Sequence, residues 1–163
     1  MQSIHVVLLL AVVFSDQPNT DQKNRGVEIN KKAILDDIKK AENKVLIANV
    51  LDNQAAAWNM GDLPGFMKGY LESEDLSFYS GNNKTKGWKA TLERYQKKYQ
   101  GEGKEMGKLS FKELTIELLG DDHALVRGRF HLQLKKDAPT GIFTLIVRKT
   151  PAGWRIIHDH TSS

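Results

Sequence analysis

The 163-residue chain contains no cysteine. That excludes disulfides, a lipid-anchoring cysteine and a thiol nucleophile, so the fold must be stable through its core alone. No Ser-His-Asp elbow is present. The glycine-rich stretch Gly101-Glu102-Gly103-Lys104-Glu105-Met106-Gly107 lacks both the Gly-Lys-Ser/Thr ending and the preceding strand that a phosphate loop needs. No repeat or composition break divides the chain, and its length suits one domain with a full core. Charge of one sign is not abundant: 24 Lys and Arg stand against 20 Asp and Glu, a mild basic bias that does not imply nucleic acid. Long apolar runs are also missing. The longest, Ile4 to Phe14, is interrupted by His5 and is too short for a bilayer-spanning helix of about 20 residues.

That run instead has the form of a signal-peptide core. Val13 and Ser15 supply small residues at −3 and −1 for cleavage after Ser15, although only the α-amino group provides positive charge ahead of it. The expectation is an exported protein, periplasmic or extracellular, with no membrane association once residues 1–15 are removed. Residues 16–29 are polar and read as a linker. A domain over residues 30–163 follows.

Asn30 suits an N-cap. Ile34, Ile38, Ala41, Val45, Ala48, Leu51, Ala55 and Trp58 recur at helical spacing, so one long amphipathic helix is expected with this stripe buried. Gly61 ends it. Asp62 caps a short second helix through Leu63-Pro64-Gly65 to Tyr70. Leu76 to Ser80 reads as a strand before the turn Gly81-Asn82-Asn83, and Asn83-Lys84-Thr85 is a glycosylation acceptor pattern. Trp88, Leu92, Tyr95 and Tyr99 form one stripe of a third helix. The lysine-rich segment Lys84 to Lys108, with Arg94, lies off this stripe and reads as a solvated face. Period-two patterning follows in Leu109 and Phe111, then Leu114, Ile116 and Leu118, then Ala124 to Leu132, then Phe143 to Val147, then the final run. The pattern predicts an α+β fold in which a strongly curved antiparallel sheet of four or more strands wraps around three N-terminal helices.

The final run, Gly153-Trp154-Arg155-Ile156-Ile157-His158-Asp159-His160-Thr161-Ser162, carries two histidines and a carboxylate at the end of an apolar strand. Strict alternation puts Trp154, Ile156, His158 and His160 on one face and Arg155, Ile157 and Asp159 on the other. Together with Gln54-Ala55-Ala56-Ala57-Trp58-Asn59-Met60-Gly61-Asp62 and Gly87-Trp88, this strand resembles the SnoaL-like branch of the nuclear transport factor 2-like superfamily. Within it, the resemblance extends to small bacterial proteins of unknown function and to the association domain of calcium/calmodulin-dependent protein kinase II. It implies a cone-shaped α+β barrel, often a homodimer through the outer sheet face, with a cavity between helices and sheet. Members include isomerases, dehydratases, polyketide cyclases and non-catalytic modules, so function has to come from the site. Steroid-isomerase and cyclase members use a buried carboxylate. Alternation places Asp159 opposite the two histidines, away from that role.

Candidate site residues follow. His158 and His160 suit acid–base work or anion binding. With His123 in a turn and His131 on another strand, no ligand spacing supports a metal, and neither metal nor cofactor is expected. Arg129 shares a strand face with Arg127 and His131; if inward, its guanidinium grips a carboxylate. Trp58, Tyr70, Phe78, Trp88 and Tyr95 are the expected aromatic walls. The first expectation is a cone-fold domain that binds a small polar or anionic molecule through Arg129 and His160. An isomerase or cyclase with a histidine base is the second, and a homo-oligomeric assembly module the third.

Overall fold

The computed structural model describes residues 20–163, and side chains at residue 28 and residues 30–163. The expected leader and the expected cleavage after Ser15 lie outside the described residues. Helix α1 (Thr20–Asn59) begins ten residues before Asn30, so the cap expected there is interior helix and the polar segment from residue 20 to 29 is helical. Contacts divide the chain at Ile38. In the first unit, Ile34, Leu35 and Ile38 are exposed. In the second, Lys39 to Ser163, the buried side of α1 is Asn43, Ile47, Leu51, Gln54, Ala57 and Trp58, while Val45 and Leu46 face outward. The expected stripe through Ile34, Ile38, Ala41 and Val45 is therefore not the core face. Both sets satisfy three- and four-residue spacing, and only the one that meets the sheet is buried.

Gly61 ends α1 with φ of 77°, a conformation that side chains resist, and Asp62 then accepts from the Gly65 backbone N–H at 2.8 Å to start α2 (Leu63–Met67). Strands β1 (Ser77–Ser80) and β2 (Asn83–Lys86) form a hairpin in which Asn83 opens the second strand instead of belonging to the turn. Helix α3 (Trp88–Tyr99) turns Trp88, Leu92, Tyr95 and Tyr99 onto the core as its spacing predicts, with Thr91 fully buried among them. Strands β3 (Lys108–Leu118), β4 (His123–Gln133), β5 (Thr140–Thr150) and β6 (Gly153–Ser162) complete a six-stranded curved sheet in the order β2-β1-β6-β5-β4-β3. All neighbours are antiparallel except β1 and β6, which run parallel. The sheet does not close on itself; β2 and β3 are its edges.

Two bulges set which side chains face the helices. On β3, Glu113 takes φ of 55° between paired Lys112 and Thr115, which keeps Phe111 and Leu114 on the same side despite their odd separation. On β6, Val147 pairs with Ile156 and Ile146 with His158, leaving Ile157 as an extra residue. Alternation therefore slips by one after Ile156. Trp154, Ile156 and Asp159 are all buried, and His160 is exposed. The core they join is led by Ile47, Leu51, Leu63, Met67, Val126, Val147 and Ile156, each side chain contributing about 1.5–3 kcal/mol by burial.

Candidate active site

Between the helices and the inner face of the sheet lies a cavity of about 120 Å³. Its walls are aromatic because each contributing element turns its apolar stripe inward: Trp58 from α1, Phe66 from α2, Tyr95 and Tyr99 from α3, Phe78 from β1, and Phe111, Phe130 and Phe143 from the sheet. The rings lock one another edge-on. Trp58 meets Phe66 at 5.1 Å and Tyr99 at 4.8 Å between centroids, and Phe78 stacks on Tyr95 at 5.5 Å. Trp58 is further fixed by donating from Nε1 to the Met106 carbonyl at 2.8 Å.

Asp159 is the one carboxylate side chain in this lining. The bulge at Ile157 delivers it there, beneath rings that exclude water. Tyr70 donates its hydroxyl to Oδ2 at 2.7 Å, and Thr161, two residues along the same face, donates to Oδ1 at 2.8 Å. Burial pushes the Asp159 carboxyl from 3.8 up to about 6; the Tyr70 and Thr161 hydrogen bonds, and more distantly His160 and Arg94, hold it from rising further. Burial, with the Asp159 charge next, also raises Tyr70 and Tyr95, so both phenols remain protonated donors. A desolvated carboxylate that titrates near neutrality beside protonated phenols is suited to take a proton from a bound molecule and return it.

Of the residues expected at the site, Trp58, Tyr70, Phe78 and Tyr95 line the cavity together. The other three do not. Trp88 packs on the core and donates Nε1 to the Met67 carbonyl at 3.0 Å. Arg129 pairs across the ladder with Lys112, opposite in facing to Phe111 and Phe130, and its Nε lies 3.5 Å from Glu113. Arg127 is exposed and bound to Glu117. His160 is exposed, and His158 sits half-buried beside Ser77, whose Oγ is 2.7 Å from Nδ1. Both imidazoles lie against Tyr79 instead of the cavity, and burial, with His160 as a smaller cause, lowers His158 below its ordinary value. Neither histidine lines the cavity. Among the described residues no group of three His, Cys, Asp or Glu is placed to hold a metal, and no helix is long and apolar enough to cross a membrane.

Sequence reasoning missed Asp159, Gln54, Arg94 and Thr161 as lining residues. Gln54 carried a readable signal. It is a polar residue within the buried stripe Ile47, Leu51, Trp58, and its Nε2 donates to the Phe66 carbonyl at 3.1 Å. Arg94, placed on the solvated face by its spacing, is in fact half-buried with its guanidinium 4.8 Å over the Phe78 ring.

The sequence model of the SnoaL-like domain family matches residues 47–163. Among solved structures, a nuclear transport factor 2-like protein of unknown function from Shewanella oneidensis is 39% identical; the match covers 74% of this chain and 98% of that one, with a TM-score of 0.70. A nuclear transport factor 2-like protein with a cystatin-like fold from Novosphingobium aromaticivorans is 16% identical over 79% and 86% of the two chains, with a TM-score of 0.63. A ketosteroid isomerase-like protein from Erwinia carotovora atroseptica is 18% identical over 72% and 93%, with a TM-score of 0.55. At those identities the last two share the fold alone. No curated protein matches the chain.

Proposed function

This chain belongs to the SnoaL-like domain family of the nuclear transport factor 2-like superfamily, and from that premise we propose that it binds a small, largely apolar cyclic molecule in its cavity and moves a proton on it with Asp159. The observation that carries this reading is the burial of Asp159 among aromatic rings, held by Tyr70 and Thr161 with no cation in ion-pair contact among the described residues. Where the ligand has a carbonyl, a neighbouring C–H bond breaks and its proton passes to the Asp159 carboxylate. The electron pair moves onto the carbonyl oxygen, to which Tyr95 donates a hydrogen bond. Return of the proton to another carbon completes an isomerisation; alternatively the carbanion adds to a second carbonyl carbon of the same molecule, whose C–O π pair moves to oxygen and takes the proton back from Asp159, closing a ring without any redox partner. Tyr70 acts as a positioning residue, since its hydroxyl is already directed at Oδ2.

Exchange of carbon-bound hydrogen for solvent deuterium, followed by NMR across cyclic and aryl ketones and 1,3-dicarbonyl compounds, tests the reading. We expect exchange in at least one compound that binds. Binding without exchange in every case would leave the cavity a binding module and Asp159 a structural group.

We also propose export with cleavage after Ser15, and homodimerisation through the outer sheet face, where Ile142 is left exposed. Intact mass of the secreted chain should correspond to a start at Asp16, and Ile142→Asp should convert a dimer to a monomer on size exclusion. A monomeric parent protein would refute the second expectation.

A further inference from the structure

We propose that the ligand carries an anionic group, a carboxylate or a phosphate, which stays at the cavity mouth on Arg94 and Lys98 while the apolar part enters. This rests on the reading that the cavity binds a small molecule, but not on catalysis by Asp159. The first argument is size. A cavity of about 120 Å³ is comparable to the roughly 150 Å³ apolar void that accepts benzene, so one ring fits and anything longer must protrude.

The second argument is charge. Arg94 and Lys98, one helical turn apart on α3, both line the cavity and both line a groove that continues outward past Lys84, Thr85 and Lys97. Three basic residues on the sheet each have a carboxylate partner: Arg127 with Glu117, Arg129 with Glu113 and Lys86 with Asp75. At the mouth no such pairing exists among the described residues. Arg94 donates from Nη1 to Thr85 at 2.9 Å and lies over Phe78; Lys98 lies 5.1 Å over the Tyr99 ring. Aromatic faces and a hydroxyl thus hold these cations in place without neutralising them, and the guanidinium keeps other N–H groups for an anion. The third argument is orientation. An anion inside the cavity would meet the Asp159 charge, whereas at the mouth it meets Arg94, so electrostatics alone points the apolar end inward.

Isothermal titration with 3-phenylpropionate, its neutral amide and 2-phenylethyl phosphate tests this on the full chain. Both anions should bind about tenfold tighter than the amide, a difference of about 1.4 kcal/mol, and the better of the two identifies the group. Arg94→Gln with Lys98→Gln should bring all three within about twofold. Lys98→Gln alone, at an exposed position that cannot disturb folding, should reduce the preference, and Lys89→Gln on the solvated side of α3 should leave it unchanged. Asp159→Asn should retain or increase it. Equal binding of acid and amide, a preference that survives the double substitution, or no binding of any probe would overturn the proposal. An anion preference without deuterium exchange would instead remove only the proton-transfer reading.

Discussion

Asp159→Asn is expected to lower proton-transfer turnover by about 10²–10⁴-fold while making the folded protein more stable at about pH 8. The two effects have one cause. Burial raises the folded carboxyl to about 6 from 3.8, so between those values the folded state holds the proton more tightly than the unfolded chain. The stability this supplies is fully present below about pH 4 and is lost as pH rises through about 6. Above that, the buried charge costs on the order of 2–3 kcal/mol relative to a neutral group. Asparagine keeps an acceptor for the Tyr70 hydroxyl and removes the charge. Chemical denaturation from pH 4 to 8 should therefore show the parent losing stability across the window and the variant losing much less. A variant less stable than the parent at pH 8 would mean that the carboxylate is better compensated than its surroundings imply.

Trp58→Ala is the second large effect, an expected loss of about 3–5 kcal/mol from a domain that has about 5–15 kcal/mol in total. Trp58 is buried in contact with Phe66, Tyr95 and Tyr99, so truncation opens the cavity wall and frees three rings at once. It also leaves the Met106 carbonyl without its donor. Trp58→Phe separates these contributions: it keeps most of the ring area and loses the hydrogen bond, for a cost nearer 1 kcal/mol. Urea midpoints compared at constant slope give both numbers. A loss below 1 kcal/mol for the alanine variant would show that the neighbouring rings collapse into the space.

The fold was legible where local chemistry and burial agree. The stripe Trp88, Leu92, Tyr95 and Tyr99, the Asp62 cap and the period-two strands all follow from spacing, and four of the expected aromatic and phenolic residues meet in the cavity. What failed did so for tertiary reasons. On α1 two sets of residues satisfy helical spacing, and the chain does not say which meets the sheet. On β3 the bulge left a trace, because the apolar pattern itself shifts between Phe111 and Leu114. On β6 it left none. Ile157 is apolar and β-branched like Ile156 before it, so nothing in Ile156-Ile157-His158 announces an extra residue, and the slip exchanged the positions of Asp159 and the two histidines. Arg94 was misplaced because its guanidinium lies over Phe78, a contact made across 16 residues that helical spacing cannot register.

The position of β6 has a consequence for how the protein comes into being. The strand that holds Asp159 is laid between β1 and β5, with its parallel partner about 80 residues earlier in the chain. While the protein is being synthesised, neither β1 nor β5 has its second neighbour until residues 153–162 emerge, and the rings of the cavity have no floor to close against. Contacts of such sequence separation form late and slowly. The nascent chain therefore holds two unpaired strand edges beside exposed aromatic side chains, a state prone to association. Asp159 arrives with the element that ends this exposure, so an intermediate lacking β6 lacks the proposed proton acceptor and is also the form of the protein most in need of chaperones.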